Sequence, residues 1–174
     1  TGLNVASSMA VHESQSRFYE NIIGKSREFS NYLYKEAIKQ FNEQFDGVSE
    51  EEFYKALNKV TPSLIRTEAD ELTYSLHIII RYEIEKLLIN DIIEVKDLPK
   101  VWNEKYKEYL GVEPTSDKEG VLQDVHWSDG SFGYFPSYAL GNLYGAQMLN
   151  KMIKDIPEVY QEVSKGNLKP VHKW

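Results

Sequence analysis

Cysteine is absent from the 174-residue chain, which excludes a disulfide framework and any thiolate metal site. Long apolar runs are absent as well. Ile78-Ile79-Ile80 is broken by Arg81, whereas a membrane span needs about 20 apolar residues. No signal-peptide pattern opens the chain. Cationic excess is missing: 20 Lys and Arg stand against 27 Asp and Glu, a net charge of −7. The lysines are scattered singly, so the clustered positive charge that neutralises nucleic-acid phosphates is not available. Internal repeats, low-complexity tracts and convincing strands are also lacking. What remains is 41% hydrophobic and 27% charged residues, the composition of a folded globular chain long enough to bury a core. These features fit a cytoplasmic protein with neither nucleic acid nor membrane as partner. The chain opens on Thr1 within a mixed apolar stretch, which leads us to expect a segment of something longer.

One further absence is informative. His12-Glu13 begins like the zinc-peptidase signature H-E-x-x-H, but the fifth position is Ser16. The second imidazole that would share a helical face with the first is missing. The stretch His12–Asn21 nevertheless holds two acids, an arginine, a histidine and two amides between aromatics. Either it is a decoy or it is one part of a metal site completed elsewhere. Glu13, Arg17 and Glu20 share a face at i, i+4 and i+7, which also fits an exposed ion-pair ladder.

Apolar periodicity predicts an all-α chain. The first helix is expected from about Val5 to Ile23, with Gly24 as its stop. The second runs from Ser26 to about Phe45, carrying Phe29, Leu33, Ala37, Phe41 and Phe45, and Asp46-Gly47 closes it. Ser49 and Glu52 have capping-box spacing and open a third, to about Val60, burying Phe53, Ala56, Leu57 and Val60. The longest, about Glu68 to Asn90, is apolar on two sides and is therefore expected as a buried central helix. Its polar residues His77 and Arg81, with the Arg66/Glu68/Asp70 cluster before it, then need partners. For His77 a hydrogen-bonded core histidine is one reading; for Arg66 an ion pair with Glu68 or Asp70 is another. Asp97 is expected to cap the next helix, with Val101, Trp102, Tyr106 and Leu110 inward and Gly111 as its end. A helix over Ser137–Ile153 turns Leu140, Leu143, Tyr144 and Met148 inward. A last one runs from Asp155-Ile156-Pro157 to Lys165, leaving Lys169–Trp174 as a tail.

Gly120–Gly145 is different in kind. Gln123, Asp124, His126, Trp127, Tyr134 and Tyr138 are punctuated by glycines with no regular period. Such a stretch is costly to order unless it builds a site, or it plugs the core with aromatics.

Three stretches occur in order: His12-Glu13-Ser14-Gln15, Ile65-Arg66-Thr67-Glu68-Ala69-Asp70, and Gly120-Val121-Leu122-Gln123-Asp124-Val125-His126-Trp127. Together with Gly133–Tyr138 and Leu140-Gly141 they resemble signature motifs of the carboxypeptidase Taq family, also called thermostable carboxypeptidase 1. The resemblance covers essentially the whole chain but only the C-terminal part of such an enzyme. The family's H-E-x-x-H, His-Pro-Phe and Asp-x-Arg-x-Thr motifs would all lie upstream of Thr1. It implies a single all-α segment, residues 1–174, of a zincin-type peptidase with a deep cleft. The implied activity is metal-dependent removal of C-terminal residues from peptides with broad specificity, in a cytoplasmic homodimer.

The resemblance also implies roles. Glu13 would be the third metal ligand, beside two histidines that this chain does not carry, for zinc or another divalent ion such as cobalt or manganese. Gln15 or Arg17 would orient it. Arg66 would bind the substrate's C-terminal carboxylate, with His12 and Gln123 also at the substrate. His126, Tyr134 and Tyr138 are candidate donors to the oxyanion, and Asp124 could hold His126 in one tautomer. One carboxylate is not a site, so the segment alone is expected to bind no metal tightly and to lack catalysis. The alternative is a non-enzymatic all-α interaction module. The enzyme reading expects Glu13, Arg66 and His126 on one concave face; the module reading expects them apart.

Overall fold

The computed structural model describes residues 7–174, and Val5 lies outside them. Every regular element among the described residues is helical. They form two compact units: residues 60–139, and residues before 60 together with 140–174.

In the first-and-last unit, α1 (Met9–Arg17) starts at Ser8, whose hydroxyl accepts from the Val11 N–H, satisfying one of the donors a helix start leaves open. A π-helical turn, Phe18–Ile23, follows directly, so the expected single helix changes pitch at Phe18. The segment α2 (Arg27–Gln40) is capped by Ser26. It ends earlier than the apolar stride suggests, because Phe41 leaves the helical region (φ −133°, ψ 45°). Phe45 then folds back against Tyr34 and Phe53. The predicted capping box forms at Ser49 and Glu52 and opens α3 (Glu50–Leu57). This helix buries less than expected: Phe53 and Leu57 are half-buried, whereas Ala56 and Val60 are exposed. The helices α6 (Pro136–Asp155), α7 (Val159–Val163) and α8 (Lys169–Lys173) complete the order. The expected C-terminal tail is therefore a short helix, with Pro170 in its first turn, where the missing N–H costs nothing. Phe18, Ile23, Met152, Val159, Val163 and Val171 make this unit's core.

Leu140 and Leu143 do not turn inward: they are 40% and 61% exposed. The buried residues of α6 are Gly141, Gly145 and Met152. A Cβ at Gly141 would lie 3.2 Å from the Glu13 backbone carbonyl carbon and Cγ, and one at Gly145 would lie 2.9 Å from Ile22 Cδ1. Two glycines four residues apart thus bring the backbone of α6 close to α1 and the π-turn, against backbone at Gly141 and against a side-chain end at Gly145.

In the middle unit, a 3-10 turn (Arg66–Glu68) precedes α4 (Glu71–Ile89), whose N-cap Asp70 accepts from the Leu72 and Thr73 amides. The helix α5 (Leu98–Leu110) packs on it and ends, as the sequence predicts, at Gly111 with φ 70°. Ile80, Ile84, Trp102, Tyr106 and Leu110 form one core cluster, and Tyr74, Ile78 and Phe135 another. The central helix is not buried all round: Leu72, Ile79, Tyr82 and Ile89 are between 40% and 70% exposed. Among the described residues no helix is long and apolar enough to cross a membrane.

Candidate functional site

Glu13 sits mid-way along α1 and is half-buried. Its carboxylate makes no recorded hydrogen bond or ion pair with another described residue. Its neighbours' side chains go elsewhere. Gln15 Nε2 lies 3.7 Å from Met148 Sδ. The buried Arg17 donates through Nε to Asn142 Oδ1 at 2.9 Å and reaches Glu20 at 3.4 Å. The expected ladder therefore keeps its Arg17–Glu20 rung, and Arg17 spends its Nε on α6. His12 is exposed. Among the described residues, no three of His, Cys, Asp and Glu gather as a metal-holding group. Glu13 suits a divalent ion as a single donor: it is an anionic oxygen on a fixed helix with its coordinating atoms not otherwise engaged.

In the middle unit the chemistry is concentrated around Asp124. Arg66 Nε and Nη2 donate to Asp124 Oδ1 at 3.0 and 2.6 Å, and Arg81 Nε donates to Oδ2 at 2.6 Å. Gln123 ties the same groups together. Its Oε1 accepts from the Arg66 backbone N–H and from Arg81 Nη2, each at 2.9 Å, and its Nε2 donates to the Leu64 and Glu119 carbonyls. Arg66 Nη1 also reaches the Tyr74 hydroxyl at 3.0 Å. Arg66 is thus paired with a residue far along the chain, not with exposed Glu68 or with Asp70, whose carboxylate caps α4.

Burial would raise the Asp124 carboxyl, but the two guanidinium groups outweigh it and hold the carboxyl below its ordinary value. The Arg66 guanidinium is correspondingly raised, its carboxylate contact overcoming the cost of burial. Two cations face one anion here, so the cluster carries surplus positive charge. Arg81 Nη1 donates to the Tyr106 hydroxyl at 3.1 Å, and that hydroxyl lies 3.0 Å from His77 Nδ1. The direction of the Tyr106–His77 bond depends on the His77 tautomer, and His77 Nε2 has no hydrogen-bond partner among the described residues. His77 is fully buried, as the core reading expects. Burial, then Arg81 and Arg66, push its pKa down to about 4.

The irregular stretch packs beside this cluster. His126 packs on Phe135 with the rings tilted by 35° and their centroids 4.4 Å apart, and its Nε2 is 3.0 Å from the Tyr138 hydroxyl. Tyr134 lies edge-on to Tyr138 at 5.2 Å, so all three oxyanion candidates form one aromatic group. Arg66 lies over the Tyr138 ring at 4.9 Å. Asp124 is 3.9 Å from His126 Nδ1, beyond hydrogen-bonding distance, so it does not fix the His126 tautomer. Burial lowers the His126 pKa; Asp124 opposes that shift while Arg66 and Arg81 add to it. Sequence reasoning missed Glu85, a buried acid of α4 that anchors this loop. The signal was present: an acid at a core-facing step of an apolar helix needs a buried partner.

Glu13 belongs to one unit and Arg66, Gln123, His126, Tyr134 and Tyr138 to the other. Chain-wide sequence comparison defines their common class. Residues 1–174 match the family described as Carboxypeptidase Taq (M32) metallopeptidase, and the chain belongs to that family. Carboxypeptidase 1 of Bacillus subtilis is 51% identical over 174 residues, covering 100% of this chain and 35% of that protein. Thermostable carboxypeptidase 1 of Pyrococcus furiosus is 43% identical over 167 residues, covering 96% and 33%. A solved structure of Pyrococcus furiosus carboxypeptidase superposes with a TM-score of 0.92 at 42% identity, covering 100% of this chain and 35% of that one. The chain therefore spans about a third of the length of the relatives it matches.

Proposed function

We propose that this chain is the part of a metal-dependent carboxypeptidase that supplies the third metal ligand and the groups that bind and polarise the peptide. The observation that carries this reading is the Glu13 carboxylate, unengaged among the described residues, on a turn of α1 that Gly141 approaches closely, in a chain whose relatives are carboxypeptidases. Zinc, or cobalt or manganese in its place, would polarise the scissile carbonyl and activate water.

The chain's own residues have separable tasks. Glu13 would help hold the ion through its carboxylate. The surplus charge of Arg66 and Arg81 attracts the substrate's terminal carboxylate. Asp124 takes the Nε–Nη2 edge of Arg66, so a substrate would meet the remaining N–H groups near Tyr74. Tyr138, Tyr134 and His126 are the proposed donors to a developing oxyanion, with burial lowering the His126 pKa. His12 and Gln123 are assigned to the substrate side, Gln123 by holding Arg66 and Arg81 in register. Broad specificity, a cytoplasmic location and a homodimer are part of the same proposal and rest on the family resemblance. The helical interaction module is disfavoured by the family membership.

The test is hydrolysis by the full-length protein of N-blocked dipeptides and of their C-terminal amides, with and without chelator. The proposal expects cleavage of the free acids alone, abolished by chelation and restored by divalent metal. Equal cleavage of the amides, or activity indifferent to chelation, would contradict it.

A further inference from the structure

Glu85 is an acid on the inward side of α4, 5% exposed. No lysine or arginine among the described residues is recorded as its partner. Both of its oxygens are used all the same. Oε1 accepts from the Trp127 indole N–H at 2.7 Å, and Oε2 accepts from the Gly133 backbone N–H at 3.1 Å. Trp127 directly follows His126 and Gly133 directly precedes Tyr134. Between them the loop closes on itself, the Ser131 N–H donating to the His126 carbonyl at 2.8 Å. Gly133 has φ 77°, a backbone that favours glycine. Trp127 is braced edge-on by Trp102 and Phe135, each 6.0 Å away. One carboxylate thus grips both arms of the loop, each at the residue next to a candidate oxyanion donor.

We infer that Glu85 is a positioning residue that sets His126 and Tyr134 for the reaction by holding Trp127 and Gly133 onto α4. The inference rests on the proposed carboxypeptidase function. A carboxylate is required because both partners are donors: a glutamine would present its NH2 to one of them and leave two donors face to face. A misplacement of this kind, far from any bond being broken, costs rate with little change in substrate binding.

The experiment uses the full-length, metal-loaded protein, with kcat expressed per folded, metal-bearing molecule. Glu85→Gln is expected to lower kcat by roughly ten- to a hundredfold with KM within about twofold of wild type. The His126 ring and Trp127 indole NMR resonances should move with it. A merely structural role would reduce the amount of folded protein and leave kcat per folded molecule and those resonances unchanged, and that result overturns the inference. If Glu85→Gln does not fold, Trp127→Phe decides, since it keeps an aromatic ring there and removes one donor. A several-fold fall in its kcat at constant KM supports the inference; a wild-type kcat overturns it. His126→Ala separates the two levels. Should it retain full kcat, the catalytic reading of the loop fails; should it lose kcat while Glu85→Gln does not, only the role of Glu85 fails.

Discussion

Gly141 and Glu13 are in backbone-level contact: a methyl group on Gly141 would sit 3.2 Å from the Glu13 carbonyl carbon, its Cγ and the Ser14 nitrogen. Glycine at this point of α6 therefore determines where the Glu13 carboxylate stands. Gly141→Ala is expected to push this turn of α1 aside and to weaken divalent metal binding by about tenfold or more, the scale on which supporting residues act. Gly145→Ala meets only the end of the Ile22 side chain, which can rotate, so its metal affinity should stay near wild type. Competition titration of the full-length protein against a chromogenic chelator measures both.

Asp124 compensates two buried cations. Its removal leaves Arg66 and Arg81, 6% and 0% exposed, facing each other without an anion. Asp124→Ala should destabilise the fold by about 3–5 kcal/mol, the cost of breaking a buried ion pair from one side. Urea unfolding followed at Trp102, which lies beneath the Arg81 guanidinium at 4.6 Å, would read this loss directly.

His77 makes the same cluster sensitive to acid. Its pKa is about 4 in the fold against about 6.5 in an unfolded chain. The unfolded chain therefore takes up the proton first, and stability falls as pH drops from about 6.5 to about 4, by about 3 kcal/mol in all. Below that range Asp124 adds to the loss: its folded carboxyl is held low, so its contribution is present above the ordinary carboxylate value and disappears as pH falls further. His77→Gln should flatten the upper part of the profile and leave the lower part, as measured by urea midpoints from pH 7 to pH 3.

Features set by neighbours in the chain were legible in advance. The Ser49/Glu52 capping box and the Gly111 stop of α5 form as predicted, because each depends on residues within one helical turn. The inward row Trp102, Tyr106, Leu110 follows from the same local period. Features set by distant partners were not legible. Arg66 has two acids within four residues, yet it pairs with Asp124, 58 positions away. Apolar spacing pointed to Leu140 and Leu143 as the inner face of α6, whereas Gly141 and Gly145 are buried. A glycine contact buries backbone, and hydropathy does not register it. The row Leu72, Ile79, Tyr82 and Ile89 on α4 has the spacing of a buried face yet is exposed among the described residues. Glu13 was singled out by its motif; that its carboxylate is unengaged among the described residues was visible only in three dimensions.

The most direct test of the account is the metal content and activity of full-length protein carrying Glu13→Ala, compared with wild type after identical loading with zinc. The account predicts about one tightly held ion per wild-type chain, and a substoichiometric, readily chelated ion with lost peptidase activity in the variant. Full-affinity metal and undiminished peptidase activity in Glu13→Ala would contradict it.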